Sequence, residues 1–535
     1  MSLRNRLVLP LALFSLAVLA GCGSGTHSPV PPPTGSFSNT NFNGTYTFSV
    51  FGSDGNGTFA MAGSLAACGC SAGTISGGSV DFVDLGVVAP ASTITSGSTY
   101  NISADGRGTA KLLITNTTAS FSTQVDVDFV LTSSSHGLII RFDGNGTGSG
   151  TIDLQPTAVT QSSIGNTPYA FSLSGTDFTQ NENPLTSAGA FTLDGSGTIT
   201  AGVQDYNYSF APYPQLTLTG TVFVGSGTAP GTATLTASSF GTLSFDVYAI
   251  SSSHLKLIES DGQGVTVGDV YSQPTAAIPS GNLVFTMAGF DTSGEAPFVV
   301  GGLISSDGTT ISSGSEDISE LGQVDGGSNP AVPISFGGTF ASTGGGRTLA
   351  TLSGFAGGTL FAAYPSSGGI LLVEIDSGLN PGTTSGVAMA QSATSIAAQG
   401  YGLNLTGVDL SSEVELDEIA EFVATSSAMT GLIDVNDGGD TETSNLSGTY
   451  TVASSGAGAA SFNSGLAGMF FYVADSSTAL LISTDSDQTA LGVFQTQSAP
   501  TALSNMAQQH LAMLRSVRPP HSAKKNSKPH FGKAN

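Results

Sequence analysis

Two histidines each follow a run of three serines, His136 after Ser133–Ser135 and His254 after Ser251–Ser253. A Ser/His pair would do nucleophilic chemistry with imidazole as general base. A triad, however, needs side chains converging from distant segments and a third group to orient the base. Neighbours along a strand point to opposite faces, so each histidine is read as opening a strand after a turn, and no catalytic residue is assigned. The corresponding places later in the chain hold Gly368 and Thr478.

Four aspartates recur in a Gly-x-x-Asp setting, at Asp81, Asp205, Asp317 and Asp434. Paired carboxylates serve glycoside hydrolysis, but an enzyme rarely needs four copies of one site. They are read as acceptors of backbone hydrogen bonds in a recurring turn or bulge, with a repeated cation or ligand site as the second reading. The segment from Asp434 to Asp440 opens like a calcium loop, Asp-x-Asn. Its fifth position is Gly438 and its twelfth Asn445, where that loop needs an oxygen donor and a bidentate Glu. No metal site is assigned and no cofactor is implied. Cys68 and Cys70 are a candidate disulfide across one residue, and zinc would lack two further ligands. The run Glu413 to Glu421 carries five acids in alternation and is read as a solvated strand face.

These residues sit on a repeating frame. Gly-x-x-x-x-Gln recurs at Gly150/Gln155, Gly268/Gln273, Gly386/Gln391 and Gly492/Gln497, with glutamine spacings of 118, 118 and 106. The Gly-x-x-Asp aspartates are spaced 124, 112 and 117 apart. An alternating stretch ending in glycine opens each unit, at Tyr46–Gly52, Tyr169–Gly175, Leu283–Gly289 and Tyr401–Gly407. Three markers in one order, four times, define units at 42–156, 164–274, 279–392 and 397–498. Runs such as Gln124–Leu131 have period two. Asp-Gly pairs between such runs, Asp54-Gly55 and Asp194-Gly195 among them, mark tight hairpins. The expectation is an all-β chain of four tandem antiparallel meanders of about eight strands each. Closure into a small up-and-down barrel is favoured, because it pairs the edge strands; a β-sandwich is the alternative.

The ends differ from this body. Arg4 and Arg6 precede an apolar run from Leu7 to Ala20, too short to span a bilayer, and the run ends in Leu19-Ala20-Gly21-Cys22. This start resembles the signal peptide and lipobox of bacterial lipoproteins. The resemblance implies cleavage after residue 21, a mature chain beginning at a lipidated Cys22, and attachment to a membrane through acyl chains. Gly23 in place of an aspartate implies the outer membrane. Residues 23–41 read as a disordered Pro/Ser/Gly tether. The repeats resemble the tandem β-repeats of acidobacterial exported lipoproteins, which implies fold and location and no activity. Between residues 23 and 500 five lysines and arginines face all 38 acids, an excess of 33 negative charges that disfavours nucleic acid as a partner. Residues 499–535 form a basic tail without acids, with a short amphipathic helix expected at 501–517 and anionic lipid as its candidate contact.

Together these features describe a non-catalytic, lipid-anchored envelope protein. Its repeats would serve a structural role or multivalent binding to a glycan, matrix or envelope protein. A lipocalin-like carrier of small apolar ligands is the alternative, decided by whether the barrel interiors are open; an extracellular hydrolase stands third.

Overall fold

The computed structural model describes residues 37–497, apart from 85–86, 179–182, 292–295, 328–330 and 378–381. The signal peptide, Cys22, most of the tether, and the basic tail with its expected helix lie outside the described residues. Strand follows strand in antiparallel order through four sheets, and each sheet joins its first strand to its last. The pairs are Asn43–Asp54 with Gly146–Leu154, Pro168–Asp177 with Gly264–Ser272, Gly281–Asp291 with Gly382–Ala390, and Gly400–Asp409 with Gln488–Thr496. The second and fourth sheets are closed eight-stranded barrels, and the third closes likewise with the short strand Gln323–Val324 hanging outside the ring. The first is ring-like: Val87–Ile94 meets Arg107–Asn116 only at Thr93↔Thr115 and Ile94↔Ile114, with Thr99–Ile102 beside them. The sheets are barrels rather than sandwiches, and they are numbered 1 to 4 in chain order.

Inward residues fill each barrel. Without tryptophan the filling rests on phenylalanine and tyrosine: Phe48, Phe59 and Phe129 in barrel 1, Phe171, Phe191 and Phe245 in barrel 2, Phe285, Phe336 and Phe361 in barrel 3, and Phe422, Phe471 and Phe494 in barrel 4. Each such side chain taken from water contributes roughly 1.5–3 kcal/mol. The glycines of two repeat markers meet at the seam between first and last strands. A Cβ on Gly150, Gly268, Gly386 or Gly492 would collide with the carbonyl oxygen of Ser49, Ser172, Thr286 or Asn404 on the facing strand.

Burial reveals the next level of packing. Strands at the seam are buried on both faces, as in Gly264–Ser272 and Gly400–Asp409, whereas Ala211–Phe223 on the far side of barrel 2 leaves many residues exposed. A strand buried on both sides needs a neighbour outside its barrel, and the neighbour is the adjoining barrel. The first strands of each barrel pack on the last strands of the next, and barrel 4 packs in the same way on barrel 1. Phe51, Ala60 and Val83 of barrel 1 meet Tyr248, Ile258 and Val265 of barrel 2. One apolar cluster contains Leu138 of barrel 1, Tyr271 of barrel 2, Val284 of barrel 3 and Leu491 of barrel 4. The four barrels form a closed cycle.

Five residues expected in the tether belong to the fold. Phe37 N–H donates to the Ala104 carbonyl (3.2 Å), Asn39 Oδ1 accepts from Ile102 N–H (2.7 Å), and Asn39–Asn41 make a 3-10 turn. Asparagine can satisfy free backbone groups, so this stretch is held on barrel 1 despite its loop-like composition. The connector between barrels 1 and 2 adds one helical turn, Gln161–Ile164.

If the cycle is the folding unit, removing barrel 4 leaves apolar faces uncovered on barrels 1 and 3. A chain truncated after residue 392 should self-associate in a concentration-dependent way that the full chain does not, as measured by light scattering. A truncated chain as monodisperse as the parent would contradict cyclic packing.

Candidate functional site

The four recurring aspartates lie on the third strand of each barrel and point at the barrel that follows. Asp81 Oδ1 accepts the Ala91 N–H and Asp205 Oδ1 the Gln215 N–H (2.8 Å), both at bulges where the donor residue has positive φ. Their other partners are in the next barrel. Asp205 holds Arg347 of barrel 3 through two bonds, Oδ2 to Nε at 2.7 Å and Oδ1 to Nη2 at 2.8 Å, and accepts the Tyr364 hydroxyl. Asp317 accepts the Tyr472 hydroxyl of barrel 4 (2.6 Å). Asp81 faces Tyr248 and Asp246 of barrel 2; burial and then Asp246 push its carboxyl up to about 7, against the pull of the Ala91 N–H. Burial raises Asp317 to about 6, with Tyr472 holding it down and Asp325 pushing it up. Asp434 accepts from Thr443 Oγ1 (2.6 Å) and faces Arg107 of barrel 1; burial raises it too.

The glutamines of the first marker also cross to the following barrel. Gln155 Nε2 donates to the Ala249 carbonyl (2.7 Å), Gln273 to Gly346 and Pro365 (2.9 Å each), and Gln391 to Ser455 and Val473 (2.9 Å each). Gln497 donates to the Asp105 carbonyl of barrel 1 and completes the cycle. Sequence periodicity locates these residues, but it cannot reveal that their partners lie one repeat further on.

The histidines open strands as expected, and the serines before them close the turns: Ser135 N–H donates to Ser133 Oγ and Ser253 N–H to Ser251 Oγ. Neither histidine pairs with those serines. His136 Nδ1 meets Asp153 at 2.6 Å and its Nε2 meets Gln495 of barrel 4 at 2.9 Å. His254 Nε2 meets Asp269 at 2.7 Å and its ring stacks on Tyr271. Lys256, fully buried, reaches from barrel 2 to Ser49 (3.0 Å) and Thr151 (3.1 Å) of barrel 1 and to Asp269 (3.4 Å). Burial pushes the Asp153 carboxyl up, yet His136, Lys256 and His254 outweigh it and bring the group down to about 2. The network joins three barrels and is sealed between them. Lys256 belongs to no motif; the one signal that could have found it is its isolation as a cation in an acidic repeat.

One reading of barrel 4 is corrected. The strand Val414–Ala424 is not a solvated acidic face: Glu415, Asp417, Glu418 and Glu421 are buried and only Glu413 of the five acids is exposed. Its outward side closes the cycle against barrel 1, where Asp417 Oδ2 accepts from Thr147 (2.6 Å), and its inward side places Glu418 in the barrel. Burial raises Asp417 and Glu421 to about 7 and Glu418 to about 8. The segment from Asp434 to Asp440 is a β-hairpin turning at Gly438 and Gly439, both with positive φ, rather than the start of a calcium loop. Asn436 in it donates to the Arg141 and Gly146 carbonyls of barrel 1 (2.7 and 2.9 Å), just as Asn207 donates to Glu374 and Gly382 of barrel 3. Cys68 and Cys70 form a disulfide.

Two recesses open at equivalent mouths of opposite barrels. That of barrel 2 has about 320 Å³ and is lined by Tyr208, Tyr213 and Phe240 with Asp177 and Glu259; that of barrel 4 has about 470 Å³ and is lined largely by acids. Among the described residues no three His, Cys, Asp or Glu side chains stand ready to hold a metal ion.

Two measurements test these contacts. Removing one partner of a buried ion pair strands the other, so Lys256→Met should cost about 3–5 kcal/mol in denaturant unfolding, and Asp269→Leu added to it should restore much of the loss. Asp81 has a raised folded pKa, so its contribution is complete below the unfolded carboxylate value and is lost as pH rises through about 7. Melting temperature should therefore fall between pH 5 and pH 9 less steeply in Asp81→Asn than in the parent; parallel slopes would refute the assignment.

No family model matches the chain, and no curated protein matches it. Matches among solved structures include intact Ap-TbpB with its N and C lobes, 9% identical over 68% of this chain and 84% of that one, at a TM-score of 0.16. A variant of the vaccine antigen Transferrin Binding Protein B from Haemophilus parasuis Hp5 is 8% identical over 69% of this chain and 86% of that one, at a TM-score of 0.17. Likeness at that level carries neither a partner nor an activity to this chain.

Proposed function

We propose that this chain is a non-catalytic lipoprotein of the cell envelope, held at the outer membrane through acyl chains on Cys22, whose four barrels form one rigid scaffold for binding a glycan, a matrix component or another envelope protein. The observation that carries this reading is the use of the repeat markers: glycines at the seams, glutamines and aspartates at the junctions. Side chains repeated four times for packing leave little sign of a repeated reaction centre. The carrier reading loses ground because aromatic side chains occupy the barrel interiors, where a lipocalin-like protein needs space. The hydrolase reading loses ground because the His/Asp/Lys network is buried between barrels, away from any substrate.

The direction of the barrels supports display. Neighbouring barrels meet through like ends: the glutamines join the ends where connectors run, and Asn207 and Asn436 join the opposite, hairpin ends. Both recesses lie at hairpin ends, while Phe37 and Gln497 lie at the connector end, beside Gly106. The chain that leads from Cys22 therefore joins the body at the end opposite the recesses, which favours display of the recessed face.

The anchor is tested in the native host by Cys22→Ser. The parent should partition into the detergent-rich phase and the variant into the aqueous phase and soluble fraction. A variant that stays with the membrane would refute lipid attachment at this residue. Fluorescent fatty-acid probes should show no saturable binding to the full chain, whereas stoichiometric uptake would reinstate the carrier.

A further inference from the structure

The recess at the hairpin-end mouth of barrel 2 is walled by Tyr208, Tyr213 and Phe240, and these rings depart from the repeat. Three residues on from the recurring aspartate, the third strands of the four barrels end in Asp84, Tyr208, Glu320 and Asp437. Barrel 2 alone replaces the acid with a ring. Tyr213 lies opposite Tyr206 where barrel 1 pairs Ala89 with Phe82. Phe240, in the turn before Gly241–Ser251, clusters at the mouth with Leu185, Tyr206 and Tyr208, whereas Phe355 in the corresponding turn of barrel 3 packs into the barrel core. Phe240 stacks on Tyr206 with 4.0 Å between centroids, and Tyr208 and Tyr213 stand at 80° and 70° to it. Tyr213 is 39% exposed, so the box of rings opens to solvent.

Asp177, at the end of the first strand, and Glu259, at the end of the seventh, share this recess. Acids recur at the first of these places as Asp54, Asp291 and Asp409, so the carboxyl groups alone distinguish nothing; the rings beside them do. Glu259 is 2% exposed, and its Oε2 has no hydrogen-bond partner among the described residues. Burial pushes its carboxyl up to about 8, Thr266 draws it down, and Asp261 and Asp177 push it up further. Its own barrel has no cation to offer. His254 and Lys256 are the only basic residues between 164 and 274, and both are engaged with Asp269.

We propose that this recess binds a small organic cation, an alkylated ammonium group, with Tyr208, Tyr213 and Phe240 as its aromatic walls and Glu259 and Asp177 as its counter-charges. The faces of aromatic rings carry negative potential and attract a cation, and the methyl groups of an alkylated ammonium are apolar enough to pack on them. An inorganic ion gains little there, because it holds its water. Rings set at steep angles enclose a compact cation on several sides, whereas a sugar ring stacks on one flat, open face. The ligand's charge also holds Glu259 ionised, which burial alone opposes, and it answers Oε2 without needing a hydrogen-bond donor. Anions are repelled by the same two acids. A volume of about 320 Å³ stands at the low end of ligand pockets, roughly 300–1,000 Å³, and suits one headgroup-sized molecule. The inference goes beyond the scaffold reading, since it gives one barrel of the four a ligand of its own.

The test uses the full chain with choline chloride as the probe. Isothermal titration should show one saturable site, and dimethylbutanol, the neutral carbon isostere of choline, should bind at least about tenfold more weakly. NaCl of equal ionic strength should give no saturable heat. Tyr213→Ala installs the residue that barrel 1 carries at this place, so it should weaken choline binding at least about tenfold while leaving the melting temperature unchanged. Glu259→Gln keeps the shape and removes the charge, and it should weaken binding to a similar degree. Choline-competed sedimentation with phosphatidylcholine vesicles would place the ammonium group on a lipid headgroup; choline binding without sedimentation would place it on a free solute. Absence of a saturable heat, equal affinity for the neutral isostere, a preference for glucose, or undiminished affinity in Tyr213→Ala would each overturn the assignment.

Discussion

The structure depends on one heterologous contact, the first strands of a barrel against the last strands of its successor, made four times. Such a contact generates an open string unless its rotation adds up to a full turn. Here it does, and barrel 4 meets barrel 1 with the same faces that join the other neighbours. Closure changes the energetics of every unit. A barrel in a string would leave one apolar face uncovered at each end, whereas each barrel here covers two and is covered by two. The uninterrupted burial of the seam strands, unusual in antiparallel sheets, follows from that arrangement rather than from the barrels themselves.

Polar groups at the junctions are of two kinds, and they contribute differently. The pairing of Asp205 with Arg347 crosses from barrel 2 to barrel 3, whereas Lys256 meets Asp269 within barrel 2 and crosses to barrel 1 through Ser49 and Thr151; both satisfy charges that would otherwise be stranded. At other junctions burial raises the acids instead, Asp81 and Asp417 each to about 7. Small variations on one interface thus distinguish the four junctions: Arg347 appears only between barrels 2 and 3, Lys256 only between barrels 1 and 2.

Much of the fold is legible in the sequence because hairpin turns and period-two alternation are local. Asp54-Gly55 and Asp194-Gly195 sit at turns, and the three markers bracket the barrels. The site is less legible because its contacts span more than one repeat. Glu415 and Asp417 look solvated in sequence, since alternation reports which residues share a face and not what lies beyond it. Asp434-Val-Asn436 looks like the opening of a calcium loop, yet Asn436 is used to grip two carbonyls of barrel 1, some 290 residues away. The histidines do stand at strand starts, but their burial cannot be inferred from the chain, because it follows from docking between barrels and not from the hairpins that carry them.

Phe37 and Gln497 both pack around Gly106, so the described polypeptide enters and leaves at one spot on barrel 1. Since the barrel 4 to barrel 1 junction is equivalent to the three that are crossed by connectors, the present break in the backbone has no structural privilege. A gene permuted to start at barrel 2, with a few residues joining Gln497 to Phe37, would encode the same assembly with its ends in a different quadrant.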